Sequence, residues 1–299
     1  MPSGRIPDQT TLAREVQLQG VGLHTGNASK ITFRPAPADT GIRFFRTDLP
    51  GKPMIPARLG FVVATVRGTN IGIGDAKVHT VEHVLSALAG LGVDNADIDV
   101  DANEPPALDG SALLFYRALL EAGLRDYPDS PKRTLRIADE VVYEDKGSVY
   151  RAVPSDRFEI HATLLHDHPL VPKFELEIRV EPETYAAQLA PARTFCFEHE
   201  VAFLRSQGLA QGGSLDNAIV IGLDKIHTNA EGLRFPDEFV RHKVLDMIGD
   251  LALTGRSLMR LRVEAVRPGH AHNIEFAKLL TESAIKLRGN GHPRRVTSA

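Results

Sequence analysis

The chain has 299 residues, 42% of them hydrophobic and 24% charged, with a net charge of -3. That balance suits one large or two ordinary domains with real cores and excludes wholesale disorder. It also lacks the basic footprint of a nucleic-acid binder. No apolar run approaches the roughly 18 residues of a membrane helix, and the opening MPSGRIPDQT has no apolar core of a signal peptide. The single cysteine, Cys196, cannot form an internal disulfide, so a reducing compartment, the cytoplasm, is expected.

In chain order, strands are expected at Ile31–Phe33, Ile42–Phe45 and Ala96–Val100. Val81, Val84, Leu85 and Leu88 recur with helical spacing, and Leu113–Gly123 forms a second amphipathic stretch with Ser111 as its cap. The prolines of Asp126–Arg133 mark a boundary. The expected organisation is therefore a domain at 1–126, a linker at 127–133 and a second domain at 134–299. Beyond the boundary, Phe158, Ile160, Ala162 and Leu164 alternate with more polar neighbours, as do Phe174, Leu176, Ile178 and Val180. Period two is the mark of an antiparallel sheet covered on one face. Asn217–Gly222 is a short apolar run. A helix is expected from Pro236 to Gly255, and a last one capped by Asn273 and reaching Gly289. Strand runs mixed with separate helices point to an α+β fold of two similar domains, each with helices layered on a mainly antiparallel sheet.

The chemistry-bearing residues cluster in three places. On the 236–255 helix, His242, Asp246 and Asp250 fall four apart on one polar stripe, opposite the apolar stripe of Val240, Val244, Ile248 and Leu251. An imidazole and a carboxylate at that spacing can share one metal ion; an ordinary His–Asp pair on a wet face is the alternative. His79-Thr-Val-Glu82-His83 opens the first helix. Glu82 and His83 diverge by about 100° around a helix, so a ligating His83 would leave Glu82 beside the metal as general base. His79 and His83 also fit the order of an inverted zincin motif, and a plain helix start with a favourable Glu is the third option. Arg267-Pro-Gly-His270 places a histidine on a turn, free to enter a cleft as a general acid, with Asp250 a candidate to orient it. The glycines of Gly20–Gly26 are spaced G-x-G-x-x-x-G, which does not fit a dinucleotide loop. Gly212-Gly-Ser214 reads equally as a strained turn near a ligand or an ordinary loop. Cys196 reads as a buried, inert thiol.

Several segments together resemble one family. They are GVGLHTG at 20–26, RPAPADTGI at 34–42, TVEH at 80–83, ALAGLGVDN at 87–95 and LDGSA at 108–112. They continue with ARTF at 192–195, GGS at 212–214, GLRFPDEFVRHKVLDMIGDL at 232–251 and GHAHN at 269–273. In this order they are similar to the UDP-3-O-acyl-N-acetylglucosamine deacetylases, zinc amidases of lipid A synthesis. The resemblance implies Zn2+ on His83, His242 and Asp246, with Glu82 as general base and His270 as general acid beside Asp250. It implies Thr194 at the oxyanion, and Phe195 and Lys243 on the sugar nucleotide. His79 is not a ligand in that family. The implied fold has the site between two domains, with a β-containing insert near 166–191 forming an apolar passage for the acyl chain. No dehydratase-like extension follows Asn273, so the single-activity form is expected, as a monomer whose partner is UDP-3-O-acyl-N-acetylglucosamine. A non-catalytic nucleotide-sugar binding module and a zinc amidohydrolase for another acylated amine are the rival readings.

Overall fold

Two five-stranded sheets organise the computed structural model, which describes residues 6–284. In the first half, β1 (Asp8–Leu12) precedes a hairpin of β2 (Val16–Val21) and β3 (Ala28–Pro35). Then follow β4 (Ile42–Arg46) and β5 (Met54–Pro56), a small three-stranded sheet of β6 (Val62–Ala64), β7 (Asn70–Ile73) and β8 (Ala76–Val78), helix α1 (Glu82–Leu91) and β9 (Ala96–Val100). Helix α2 (Leu113–Ala122) and β10 (Leu124–Pro131) close the half. The main sheet runs β2-β3-β9-β4-β5, with β4 and β9 parallel and every other neighbour antiparallel.

The second half repeats that plan. It opens with β11 (Val141–Asp145), β12 (Ser148–Pro154), β13 (Glu159–Leu165) and β14 (Lys173–Arg179). Helix α3 (Pro182–Gln188) leads to β15 (Phe195–Phe197), α4 (Glu198–Ser206), β16 (Ile219–Ile221) and β17 (Ile226–His227). Helix α5 (Glu238–Ala252), β18 (Leu261–Val266) and α6 (His270–Glu282) complete it. The sheet order is β11-β12-β18-β13-β14, again with one parallel contact, β13 to β18. The expected α+β architecture of two similar halves is what the chain adopts.

Side-chain period explains the layering. Along β18, Leu261, Val263 and Ala265 are buried while their neighbours are half-exposed, and β13 does the same with Ile160, Ala162 and Leu164. Helix α1 is buried almost all round because it lies against both α2 and α5. Each fully buried Val or Leu of these helices contributes about 1.5–3 kcal/mol. Two glycines permit the close contacts. A Cβ on Gly249 of α5 would sit 2.0 Å from the carbonyl oxygen of Glu82, and one on Gly90 of α1 would sit 2.4 Å from the Tyr185 ring.

Four expectations need adjusting. Residues up to Pro131 of the expected 127–133 linker form β10, paired antiparallel with β1. Its two prolines fit because this is a two-stranded rim, where missing N–H donors are tolerated. The alternating strand in 166–191 is β14, an edge strand of the main sheet, and the separate small sheet comes later, β15-β16-β17, with α4 linking the parallel pair β15 and β16. Gly269, rather than Asn273, caps α6; Asn273 lies in its first turn. The same helix ends at Glu282 with Ser283 as its C-cap, short of the expected Gly289, which itself lies outside the described residues. Ala112 is the N-cap of α2, although Ser111 Oγ does accept the Leu113 N–H at 3.1 Å.

Candidate active site

Helix α5 turns His242, Asp246 and Asp250 toward α1, and all three are buried. The approach permitted by Gly249 brings the start of α1, with Glu82 and His83, directly onto this stripe. Asp246 Oδ1 lies 3.3 Å from His242 Nε2 and 3.4 Å from His83 Nε2. Donor atoms of these three residues all lie within 4.8 Å of one another. A tetrahedron of bonds of about 2.0–2.1 Å has edges of about 3.3–3.4 Å, so the spacing fits a small divalent cation.

The chemistry of the donors agrees. Asp246 Oδ1 is buried and has no hydrogen-bond partner, an arrangement that is costly unless a cation meets it. His242 Nδ1 lies 3.1 Å from the Ala192 carbonyl. Donation there leaves Nε2 as the lone-pair nitrogen facing Asp246. Burial pushes the His242 imidazole down to about 3, against the pull of Asp246, so it is neutral, as coordination requires. Burial also works against an ionised Asp246, but the neighbouring cations Lys243 and His270 hold the carboxyl well below its usual range. For His83 burial lowers the pKa, but Asp246 and Glu82 together outweigh it and raise it above its usual value.

Beside this trio stands an acid–base pair. Glu82 Oε2 accepts the Thr69 N–H at 2.9 Å, and Oε1 lies 4.0 Å from His270 Nε2. Burial raises Glu82 to about 7, with His270 and His83 pulling the other way. His270 Nδ1 donates to Asp250 Oδ2 at 3.0 Å. Burial opposes its charge, but Asp250, Asp246 and Glu82 outweigh that and raise His270 to about 9. Near neutral pH, Glu82 therefore exchanges protons readily while His270 stays cationic. Environments that separate two titrating groups in this way mark acid and base roles. His270 is the first residue of α6 rather than a turn residue, which fixes its backbone more firmly than a loop would.

The remaining expected residues lie around this centre. Lys243 Nζ is 2.9 Å from Asp246 Oδ2 and 5.4 Å from the centroid of the Phe195 ring. Phe195 meets His242 edge-on at 6.2 Å and Phe239 at 5.0 Å. Thr194 precedes it on a backbone held at both ends, its N–H on the Gly110 carbonyl and its carbonyl on the Ile219 N–H, each at 2.9 Å. His79 is absent from both candidate metal groups. Cys196 sits half-buried on β15, and burial raises its thiol, so it carries no activated thiolate.

Sequence reasoning missed several partners. Thr69 donates its N–H to Glu82 and its hydroxyl to Asp250 Oδ1 at 2.5 Å, tying Glu82 to the carboxylate that His270 Nδ1 meets. Asn273 donates to Asp250 Oδ2 at 2.8 Å and accepts from the Tyr150 hydroxyl at 2.6 Å. Arg193 and Glu238, both fully buried, form an ion pair at 2.9 Å just ahead of Thr194. The two glycine-rich segments, 20–26 and 212–214, dock on each other: Gly212 donates to the Leu23 carbonyl at 3.1 Å, and a Cβ on Gly212 would sit 2.2 Å from the Gly22 oxygen. Gly26 and Gly212 permit this contact between halves, while Gly20 and Gly22 face Pro106 and Glu104.

Comparisons with known proteins agree with one another. The family described as LpxC: UDP-3-O-acyl N-acetylglycosamine deacetylase matches residues 9–282. A protein of Anaeromyxobacter sp. (strain Fw109-5), named UDP-3-O-acyl-N-acetylglucosamine deacetylase, is 46% identical over 89% of this chain and 86% of its own length. One of the same name from Oleidesulfovibrio alaskensis is 43% identical over 92% of this chain and 89% of its own. Another from Cellvibrio japonicus is 44% identical over 92% and 90%.

Proposed function

Because the chain belongs to the UDP-3-O-acyl-N-acetylglycosamine deacetylase family, we propose that it hydrolyses the 2-acetamido group of UDP-3-O-acyl-N-acetylglucosamine. The products are acetate and UDP-3-O-acyl-glucosamine, at the committed step of lipid A synthesis. The observation that carries this reading is the buried, unpartnered Asp246 Oδ1 between two imidazole nitrogens, beside a carboxyl raised to about 7.

His83, His242 and Asp246 would hold Zn2+. When bound there, zinc supplies Lewis-acid polarisation of the amide carbonyl and a more acidic water. Glu82 takes the proton from the attacking water, its Oε2 steadied by the Thr69 N–H. His270, cationic and oriented by Asp250, stabilises developing negative charge and gives a proton to the departing amine. Thr194 adds a donor to the oxyanion. Phe195 offers a ring face, and Lys243 a positive charge, to the sugar nucleotide. Both sides of the site come from one chain, which suits a monomer. No helix among the described residues is long and apolar enough to cross a membrane, and a single cysteine suits a reducing cytoplasm.

The test is acetate release from UDP-3-O-acyl-N-acetylglucosamine before chelation, after chelation and after restoring zinc. Release that is lost on chelation and regained with zinc supports the substrate, the reaction and the metal together. Tight UDP binding by folded, zinc-replete protein without acetate release would instead make it a binding module.

A further inference from the structure

A cavity of about 450 Å³ lies between the two halves, and none of Glu82, His83, His242, Asp246 or His270 lines it. That volume falls in the range of small-ligand sites, about 300–1,000 Å³. Its accessible apolar wall comes from both halves: Ile42 from the first, and Phe158, Val180, Ala252 and Met259 from the second. Its polar wall carries Arg58, Lys132, Arg133 and Arg256 together with Asp39, Asp94 and Glu181. Lys132 pairs with Asp94, and Glu181 with Arg179. Arg133 is paired with Asp39 at 2.7 Å. Arg58 differs. Among the described residues its guanidinium has no carboxylate partner and reaches the Thr254 carbonyl at 3.5 Å.

The space for that guanidinium is built by two glycines, one from each half. A Cβ on Gly255 would lie 0.9 Å from Arg58 Nη1, and one on Gly41 would lie 2.7 Å from Nη2. Both glycines have positive φ, +64° and +70°, so the backbone there also disfavours a side chain. The result is a partly buried cation seated between two loops, with Arg133 and Arg256 close enough to repel it. Holding such a charge without a counter-ion is unfavourable. An anion would offset it, and the apolar wall next to it would cover a hydrocarbon body.

We propose that this cavity binds a small amphiphilic anion, with a carboxylate or phosphate head on Arg58 and Arg256 and an apolar body against Ile42, Phe158 and Val180. Because both halves contribute walls, the bound anion would stabilise their relative placement.

The experiment uses the full, metal-replete chain with three probes: decanoate, decyl phosphate below its micelle concentration, and inorganic phosphate. Calorimetry and thermal unfolding read binding, so the result is independent of whether the proposed deacetylation is right. At least one amphiphile is expected to bind saturably, raise the unfolding temperature and bind about tenfold or more tighter than inorganic phosphate. The tighter of the two amphiphiles identifies the head group. Arg58→Gln should weaken that binding about tenfold or more; Arg256→Gln gives a second reading from the rim should Arg58→Gln fold poorly. Acetate release should be unchanged in both variants. Absence of saturable binding at millimolar probe, unchanged affinity in folded variants, or inorganic phosphate binding as tightly as the amphiphiles would each overturn the proposal.

Discussion

The two halves share a strand order, yet they do different work at the site. In each, a hairpin, an inserted last strand and a second hairpin build the sheet, and one helix precedes the inserted strand while another follows it. Helices α1 and α5 are therefore equivalent, and they pack on each other. Helix α1 contributes from its first turn, through the adjacent residues Glu82 and His83. Helix α5 contributes from its middle, through His242, Asp246 and Asp250 at i, i+4 and i+8. Equivalent helices supply unequal chemistry because α1 presents its first turn to the site and α5 successive turns of one face. The starts of α1 and α6 both face the site, and the partial positive charge there favours the carboxylates of Glu82 and Asp250.

The sharpest way to break that comparison is to remove one group from each helix. Glu82→Gln should lose roughly 10²–10⁴ in turnover while metal content, measured by elemental analysis, stays near wild type. Asp246→Ala should lose the metal as well as the turnover. Loss of metal from Glu82→Gln, or its full retention in Asp246→Ala, would reverse the assignment of base and ligand.

The next effect concerns stability and separates buried from exposed ion pairs. Glu238 opens α5 and is fully buried against Arg193. Glu238→Ala strands that guanidinium and should cost about 3–5 kcal/mol in denaturant unfolding. Glu275→Ala on α6 breaks an exposed pair with Lys278 and should change stability by less than about 1 kcal/mol. Comparable losses in the two would mean that Arg193 finds water or another acceptor when Glu238 is removed.

How much of this was legible in the sequence follows from what periodicity encodes. The stripe on α5 was readable because helical spacing alone fixes which residues share a face. Glu82 and His83 diverge, as their adjacency requires, but at a helix start both directions lead into the site: His83 toward Asp246, Glu82 toward Thr69 and His270. Thr69 and the Ala192 carbonyl carried no signal, since their partners lie far away in sequence. Alternation identifies β14 as a strand without saying which sheet it joins, and only its pairing with β13 makes it the edge of the main sheet rather than part of an insert. The strand β15 is three residues long and half-buried throughout, too short for period two to register. For β10, a mostly exposed, proline-bearing segment read as a linker, although its backbone pairs with β1.

The smallest expected effect tests the geometry that makes α1 and α5 unequal. Gly249→Ala and Gly90→Ala both place a methyl group into the packing around α1, but against different neighbours. At Gly249 the obstacle is the Glu82 backbone, 2.0 Å from the new Cβ, and backbone yields only if α1 moves. At Gly90 it is the Tyr185 ring, 2.4 Å away, on the α3 side and two turns from His83. Overpacking should cost each variant about 1–3 kcal/mol, less up to about 1 kcal/mol regained from the better helix propensity of alanine. Unfolding alone will therefore barely distinguish them. Metal affinity will: moving α1 off α5 carries His83 away from Asp246, so Gly249→Ala should bind zinc more weakly, and Gly90→Ala should bind it as wild type does. Equal weakening in both would mean that the site responds to any strain in α1, and that the crossing at Gly249 has no special part in setting the spacing between His83 and Asp246.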